Sequence, residues 1–186
     1  MLDWHSVLEI FHLLGVVVAM GAAITGDFGF FSSIRNRKIS ATEMRFIKLA
    51  SRTVWLGLVL IIISGVLLFA QQPERYLQSG KFLAKMSIVG VIIVNGLIFH
   101  FVHLPRLKKH IGLSLTTAGR FSRQMSGLMV SGAVSSVSWF SALVLGALGR
   151  LPYAYREIML VYLGLLVVAI STALLLKNKI FSTRNK

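Results

Sequence analysis

Six side chains in this 186-residue chain could do chemistry within otherwise apolar surroundings: His12, Asp27, Lys85, Asn95, His100 and His103. The stretch HLLGVVVAMGAAITGDFGFF, residues 12–31, opens on a histidine, nearly closes on an aspartate and holds no other ionisable residue. Imidazole can ligate a metal or relay a proton, and a carboxylate held in hydrocarbon can carry a proton. Each residue also has a plain structural use. His12 could donate to a neighbouring helix, Asp27 could pair with a basic residue of the next loop, and Lys85 could snorkel to the interface. His5 and His103 read as interfacial side chains.

At 100° per residue His5 and His12 lie about 20° apart on a helix, above the small residues Gly15, Ala19, Ala22, Ala23 and Gly26. A second small-residue face runs through Gly127, Ser131, Gly132, Ser135, Ser136 and Ser138. Helices, or a flat ligand, approach closely at such faces. In the third apolar run Lys85, Gly96 and His103 fall within about 20° of one another, and Pro105 is expected to end that helix.

Depth restricts the combinations. His12 and Lys85 belong to one half of the membrane, and Asp27, Asn95, His100 and Arg106 form a polar cluster towards the other. Asp27 is expected about one turn from the cytoplasmic exit of its span and close to His100 or Arg106. His12 is expected to meet the third run near Lys85. Because His12 and His100 differ in depth by roughly 15 Å, one haem iron cannot take both as axial ligands. The second, fourth and fifth runs contain no histidine, so a bis-histidine di-haem arrangement is ruled out. A metal or haem site would use His12 with Lys85, or His12 alone, over Gly15.

The elements that must position these residues follow from composition. The chain is 55% hydrophobic and 14% charged, with mean hydropathy +0.76, outside the range of soluble globular domains. Five apolar runs, at about 6–31, 53–71, 83–104, 126–149 and 155–176, each approach the roughly 20 residues needed to cross a bilayer. None alternates with the period of two that a barrel strand needs. The expected fold is an all-α polytopic bundle of five transmembrane helices, a single domain over 1–186. The flank MLDWHSVLE has no Lys or Arg, so the first run is expected to be a retained span rather than a signal peptide.

The net charge of +14 would suggest nucleic acid in a soluble protein, but here basic residues punctuate apolar runs. Fifteen of the 20 lie in 32–52, 105–125 and 177–186, which places the amino terminus outside and the carboxyl terminus in the cytoplasm. The partners this implies are membrane lipids, with anionic headgroups at the cytoplasmic loops, and no nucleic acid. A homo-oligomer is compatible with the small-residue faces. The absence of cysteine excludes disulfides, thiolate metal sites and covalent c-type haem. The segment from Ser40 carries a capping box with Glu43 and sets Met44, Ile47 and Leu49 among basic residues, as an amphipathic extension of the second span would. Arg45-Phe46 and Arg120-Phe121 sit alike in the 1–2 and 3–4 hairpins, a resemblance between the hairpins too short to establish a parallel repeat.

The segments GDFGFF (26–31), KISATE (38–43), SRTVWLGLVLIIISG (51–65), KFLAKM (81–86), VNGLIFHFVHLPRL (94–107) and AVSSVSW (133–139) together resemble a group of bacterial multi-pass membrane proteins. That resemblance would cover most of the chain and implies the cytoplasmic (inner) membrane but no particular activity. More distantly, a histidine on the first span and a lysine opening the third resemble membrane protoporphyrinogen oxidase of the HemJ type and CopD-like copper-resistance proteins. By that resemblance His12 and Lys85 would stand at positions for haem b or porphyrin. The HemJ type has histidines soon after the lysine, whereas the next one here is His100.

Three functions fit these residues. The first is a haem- or porphyrin-binding redox protein built on the His12 and Lys85 face. The second is a small proton-coupled transporter using Asp27, Asn95 and His100. The third is a non-catalytic membrane module that binds partners or lipid through its basic loops. No nucleophile-base set or phosphate loop supports a hydrolase or nucleotide enzyme.

Overall fold

Lipid offers backbone groups no hydrogen-bond partner, so apolar runs of this length must close their bonds within helices. The computed structural model describes residues 3–36, 39–112, 119–149 and 151–182, with side chains at 31–36, 119–124 and 179–182 left undescribed. Its helices are α1 (Trp4–Asn36), α2 (Ala41–Gln71), α3 (Pro73–Leu77), α4 (Gly80–Ile98), α5 (Leu104–Lys108), α6 (Gly119–Ala147) and α7 (Tyr155–Ser182). A π-helical turn, Phe99–His103, joins α4 to α5. Five spans are long and apolar enough to cross a membrane: Trp4–Phe30, Ala41–Gln71, Gly80–Lys108, Met125–Ala147 and Tyr155–Asn178. The protein is an all-α polytopic membrane bundle, and five spans put its termini on opposite sides. The amino-terminal side is termed outer, in keeping with the basic-residue asymmetry.

One boundary differs from the sequence expectation. Pro105 does not end the third span. It lacks the N–H that an α-helix would direct at Phe101, and its ring crowds that carbonyl. The preceding π turn widens the helix there, with Leu104 N–H bonding the Phe99 carbonyl, and the chain continues helically to Lys108. The first helix runs on to Asn36, but its membrane span ends at Phe30, so Asp27 stands three residues, about one turn, from the inner end of the span as expected.

The α1 and α2 helices form the most extensive packing in the bundle. A Cβ on Gly57 would stand 2.7 Å from the Ala19 backbone nitrogen, and one on Gly15 would stand 3.1 Å from the Gly57 carbonyl oxygen. Only glycine at both positions permits that approach. The α2 start carries the expected capping box: Ser40 Oγ accepts from Glu43 N–H at 3.1 Å, and Glu43 accepts from Ser40 N–H at 2.8 Å. Met44 and Ile47 are buried beyond the apolar run, as an amphipathic extension requires, whereas Leu49 is exposed and lies off that face. The residue pair Arg120-Phe121 lies outside the described side chains, as do Arg35, Arg37, Lys38, Arg123, Arg150, Lys179, Arg184 and Lys186.

The apolar core is split in two. The outer cluster includes Ala19, Leu58, Ile88, Trp139 and Tyr162. The inner one includes Phe30, Ile47, Leu107, Met125 and Leu128. Between them lies a gap lined by small, polar and aromatic residues.

Candidate functional site

The gap between the two clusters is a cavity of about 80 Å³, to which α1, α2, α4 and α6 all contribute. Its polar lining is Asp27, Ser51, Asn95, Ser131 and Ser135, and Gly26, Gly96 and Gly132 keep the walls thin. At 10–15 Å³ per probe-sized site, that volume holds several waters or a solute of a few heavy atoms. Trp55, Phe99 and Trp139 supply aromatic walls.

Asn95 is fixed by α6: its Nδ2 donates to the Ser131 carbonyl at 3.0 Å, and Ser131 Oγ donates back to Asn95 Oδ1 at 2.9 Å. Asp27 faces the same helix. Ser136 Oγ approaches its Oδ2 at 3.5 Å, and a Cβ on Gly132 would be 3.9 Å from its Oδ1. Among the described residues Asp27 forms no ion pair. It lines the same cavity as Asn95 of the third span. His100 lies five residues further in, about 7 Å deeper. Among the described residues the polar contact of Asp27 is with α6, where α1 packs at Gly132 and Ser136, and not with His100 or Arg106.

His100 still reaches the site through an intermediary: its Nδ1 lies 3.2 Å from Ser51 Oγ, and Ser51 lines the cavity. Arg106 is exposed on α5 and lines no part of the cavity. His103 is buried, not interfacial. Its ring packs against Gly127, where a Cβ would be 3.1 Å from its Cε1.

In the outer half, the small-residue face of α1 meets α2. His12 Nδ1 lies 3.1 Å from Ser64 Oγ, and its Cε1 lies 3.3 Å from where a Cβ on Gly65 would stand. The direct partner of His12 is thus the second span, not the third. Ser64 is itself anchored, donating to the Leu60 carbonyl at 2.6 Å. Lys85 is half-buried within electrostatic reach of His12, with its Nζ 3.6 Å from the Cβ position of Gly146 on α6. Gly15 is occupied by helix packing. Further outward, two turns from His12, His5 Nδ1 meets Gln71 Oε1 at 2.7 Å, and Lys81 Nζ donates to the Leu148 and Gly149 carbonyls at 2.5 and 3.0 Å.

Sequence reasoning missed Ser51, Ser64 and Trp55. Ser51 and Ser64 were each readable as small polar residues of a span, but only the register of α2 against α1 and α4 gives them partners. Comparison with known protein families, curated proteins and solved structures finds no match for this chain.

Proposed function

We propose that the protein is a proton-coupled carrier of a small polar solute in the bacterial cytoplasmic membrane, working through Asp27. One observation carries this reading: Asp27 lines the cavity between the two apolar clusters, whereas Glu9 and Glu157, the other acidic residues of the apolar runs, lie exposed near the outer ends of theirs. An ionisable group kept at that depth is costly, so a use for it is the first hypothesis. Asp27 would accept a proton as a solute enters beside Asn95 and Ser131, and would release it once the cavity opens to the other side. Helix pairing supplies two bodies for such an exchange. The α1–α2 hairpin is locked by its glycine contact, and α4, α6 and α7 pack on one another, whereas α1 and α6 meet over a short stretch around Asp27. Rocking of one helical unit against another around a fixed site is a common carrier scheme.

The test uses purified protein in proteoliposomes holding a pH-sensitive dye, challenged with gradients of small polar solutes. Solute-driven proton movement that Asp27→Asn abolishes is the expected result. Proton flux unchanged in Asp27→Asn, or absent for every solute, overturns the reading.

A second reading, haem or porphyrin held by His12, has one observation in its favour. The bond from His12 Nδ1 to Ser64 would orient the ring and leave Nε2 as the ligating atom. The Gly15–Gly57 contact leaves no slot for a macrocycle between α1 and α2, so the ring would have to lie on the Lys85 side. Bound haem would supply one-electron chemistry. A Soret band after haem-supplemented expression, lost or shifted in His12→Ala, supports this reading; its absence removes it.

A further inference from the structure

The α2 and α4 helices make little direct contact, and the gap between them opens laterally as a groove of about 610 Å³. One wall is an α2 stripe at helical spacing: Arg52, Trp55, Leu56 and Val59. The opposite wall is Leu97, His100 and Phe101. Both walls have the same polarity along the membrane normal. Arg52 immediately precedes the second apolar run, and His100 lies beside it through the Ser51 contact. Leu56 and Val59 then lie about 6 and 10 Å further towards the outer side, with Leu97 likewise outward of His100. A charged end at the inner interface and an apolar trough leading into the hydrocarbon match an acidic phospholipid in shape and charge. Arg52 is exposed and has no ion-pair or hydrogen-bond partner among the described residues.

We propose that this groove is a binding site for one acidic phospholipid of the inner leaflet, with its phosphate on Arg52 and one acyl chain between α2 and α4. Basic pockets between spans on the cytoplasmic side bind such headgroups by direct charge pairing. Ordinary lipid coating would show no headgroup preference at this position. The site is independent of what the central cavity carries, although the Ser51–His100 bond would make it a neighbour of that cavity.

Trp55 provides the readout. In a Trp4→Phe background the remaining tryptophans are Trp55, which lines the groove, and Trp139, which is 4% exposed inside the bundle. Quenching of tryptophan fluorescence is measured in vesicles of phosphatidylcholine into which acyl-brominated phosphatidylglycerol or acyl-brominated phosphatidylcholine is titrated. The expected result is an association about five-fold stronger for the brominated phosphatidylglycerol. That preference disappears in Arg52→Ala and persists in Arg45→Ala, which removes the same charge outside the groove. Equal quenching by the two lipids, as a second copy of the chain covering the groove would produce, overturns the proposal. So does a preference that survives Arg52→Ala. Circular dichroism and elution volume confirm that each variant is folded.

Discussion

Asn95 and Ser131 hold each other by a closed pair of hydrogen bonds, 3.0 and 2.9 Å long, between α4 and α6. One bond uses the Ser131 backbone and the other its hydroxyl, so the two can be removed separately. Interhelical hydrogen bonds in membranes contribute about 0.6 kcal/mol each on average. Ser131→Ala should lower stability by about that amount and Asn95→Ala by about twice as much. Unfolding in mixed micelles measures both, and equal losses would show that the backbone bond contributes nothing.

The α1–α2 contact makes a sharper prediction. A methyl group at residue 57 would stand 2.7 Å from both the backbone nitrogen and Cβ of Ala19, neither of which can swing aside. Gly57→Ala should cost about 1–3 kcal/mol, the usual range for overpacking. Gly90→Ala and Gly164→Ala meet nothing within 4 Å and should leave the thermal midpoint unchanged or raised. Were all three variants equally stable, the hairpin would not be the tightly packed body described.

These two contacts also show how much of the molecule was legible in its sequence. Span number, the two small-residue faces and the Ser40–Glu43 cap follow from local periodicity and spacing, and the structure contains all of them. Relative depth between helices does not follow, because it depends on how far each helix extends and tilts. Which helix a polar residue faces does not follow either: Asp27 was matched to His100, whereas its side-chain contacts are on α6. His12 was matched to Lys85, which does stand within electrostatic reach, but its hydrogen bond goes to Ser64, a partner that only the register of α2 against α1 reveals. Pro105 gave a true signal with an unexpected outcome, since a π turn resolves the clash without stopping the helix.

The cap on α2 should be a local device. Ser40 and Glu43 satisfy one another's backbone N–H groups at the exposed inner end. Loss of such a cap typically costs about 1 kcal/mol. Ser40→Ala should therefore speed amide exchange in residues 41–44 by about five-fold, with little change near Leu58 in the outer cluster. Faster exchange along the whole of α2 would mean that the extension and the span unfold together.

Orientation is tested most directly at two exposed turns that five spans must place on opposite sides. Gln78 follows α3 on the side of the amino terminus, and Lys109 follows α5 on the side of the carboxyl terminus. The turn at Lys109 lies among the basic segments, and positive-inside places those in the cytoplasm. The chain has no cysteine, so single-cysteine variants carry one reporter each against a silent background. In intact cells a membrane-impermeant maleimide should modify Gln78→Cys and spare Lys109→Cys, and both should react after permeabilisation. The reverse pattern would invert the bundle and put Arg52 at the outer leaflet. Labelling of both positions in intact cells would break the five-span topology itself, since an odd number of crossings between these turns is what separates them.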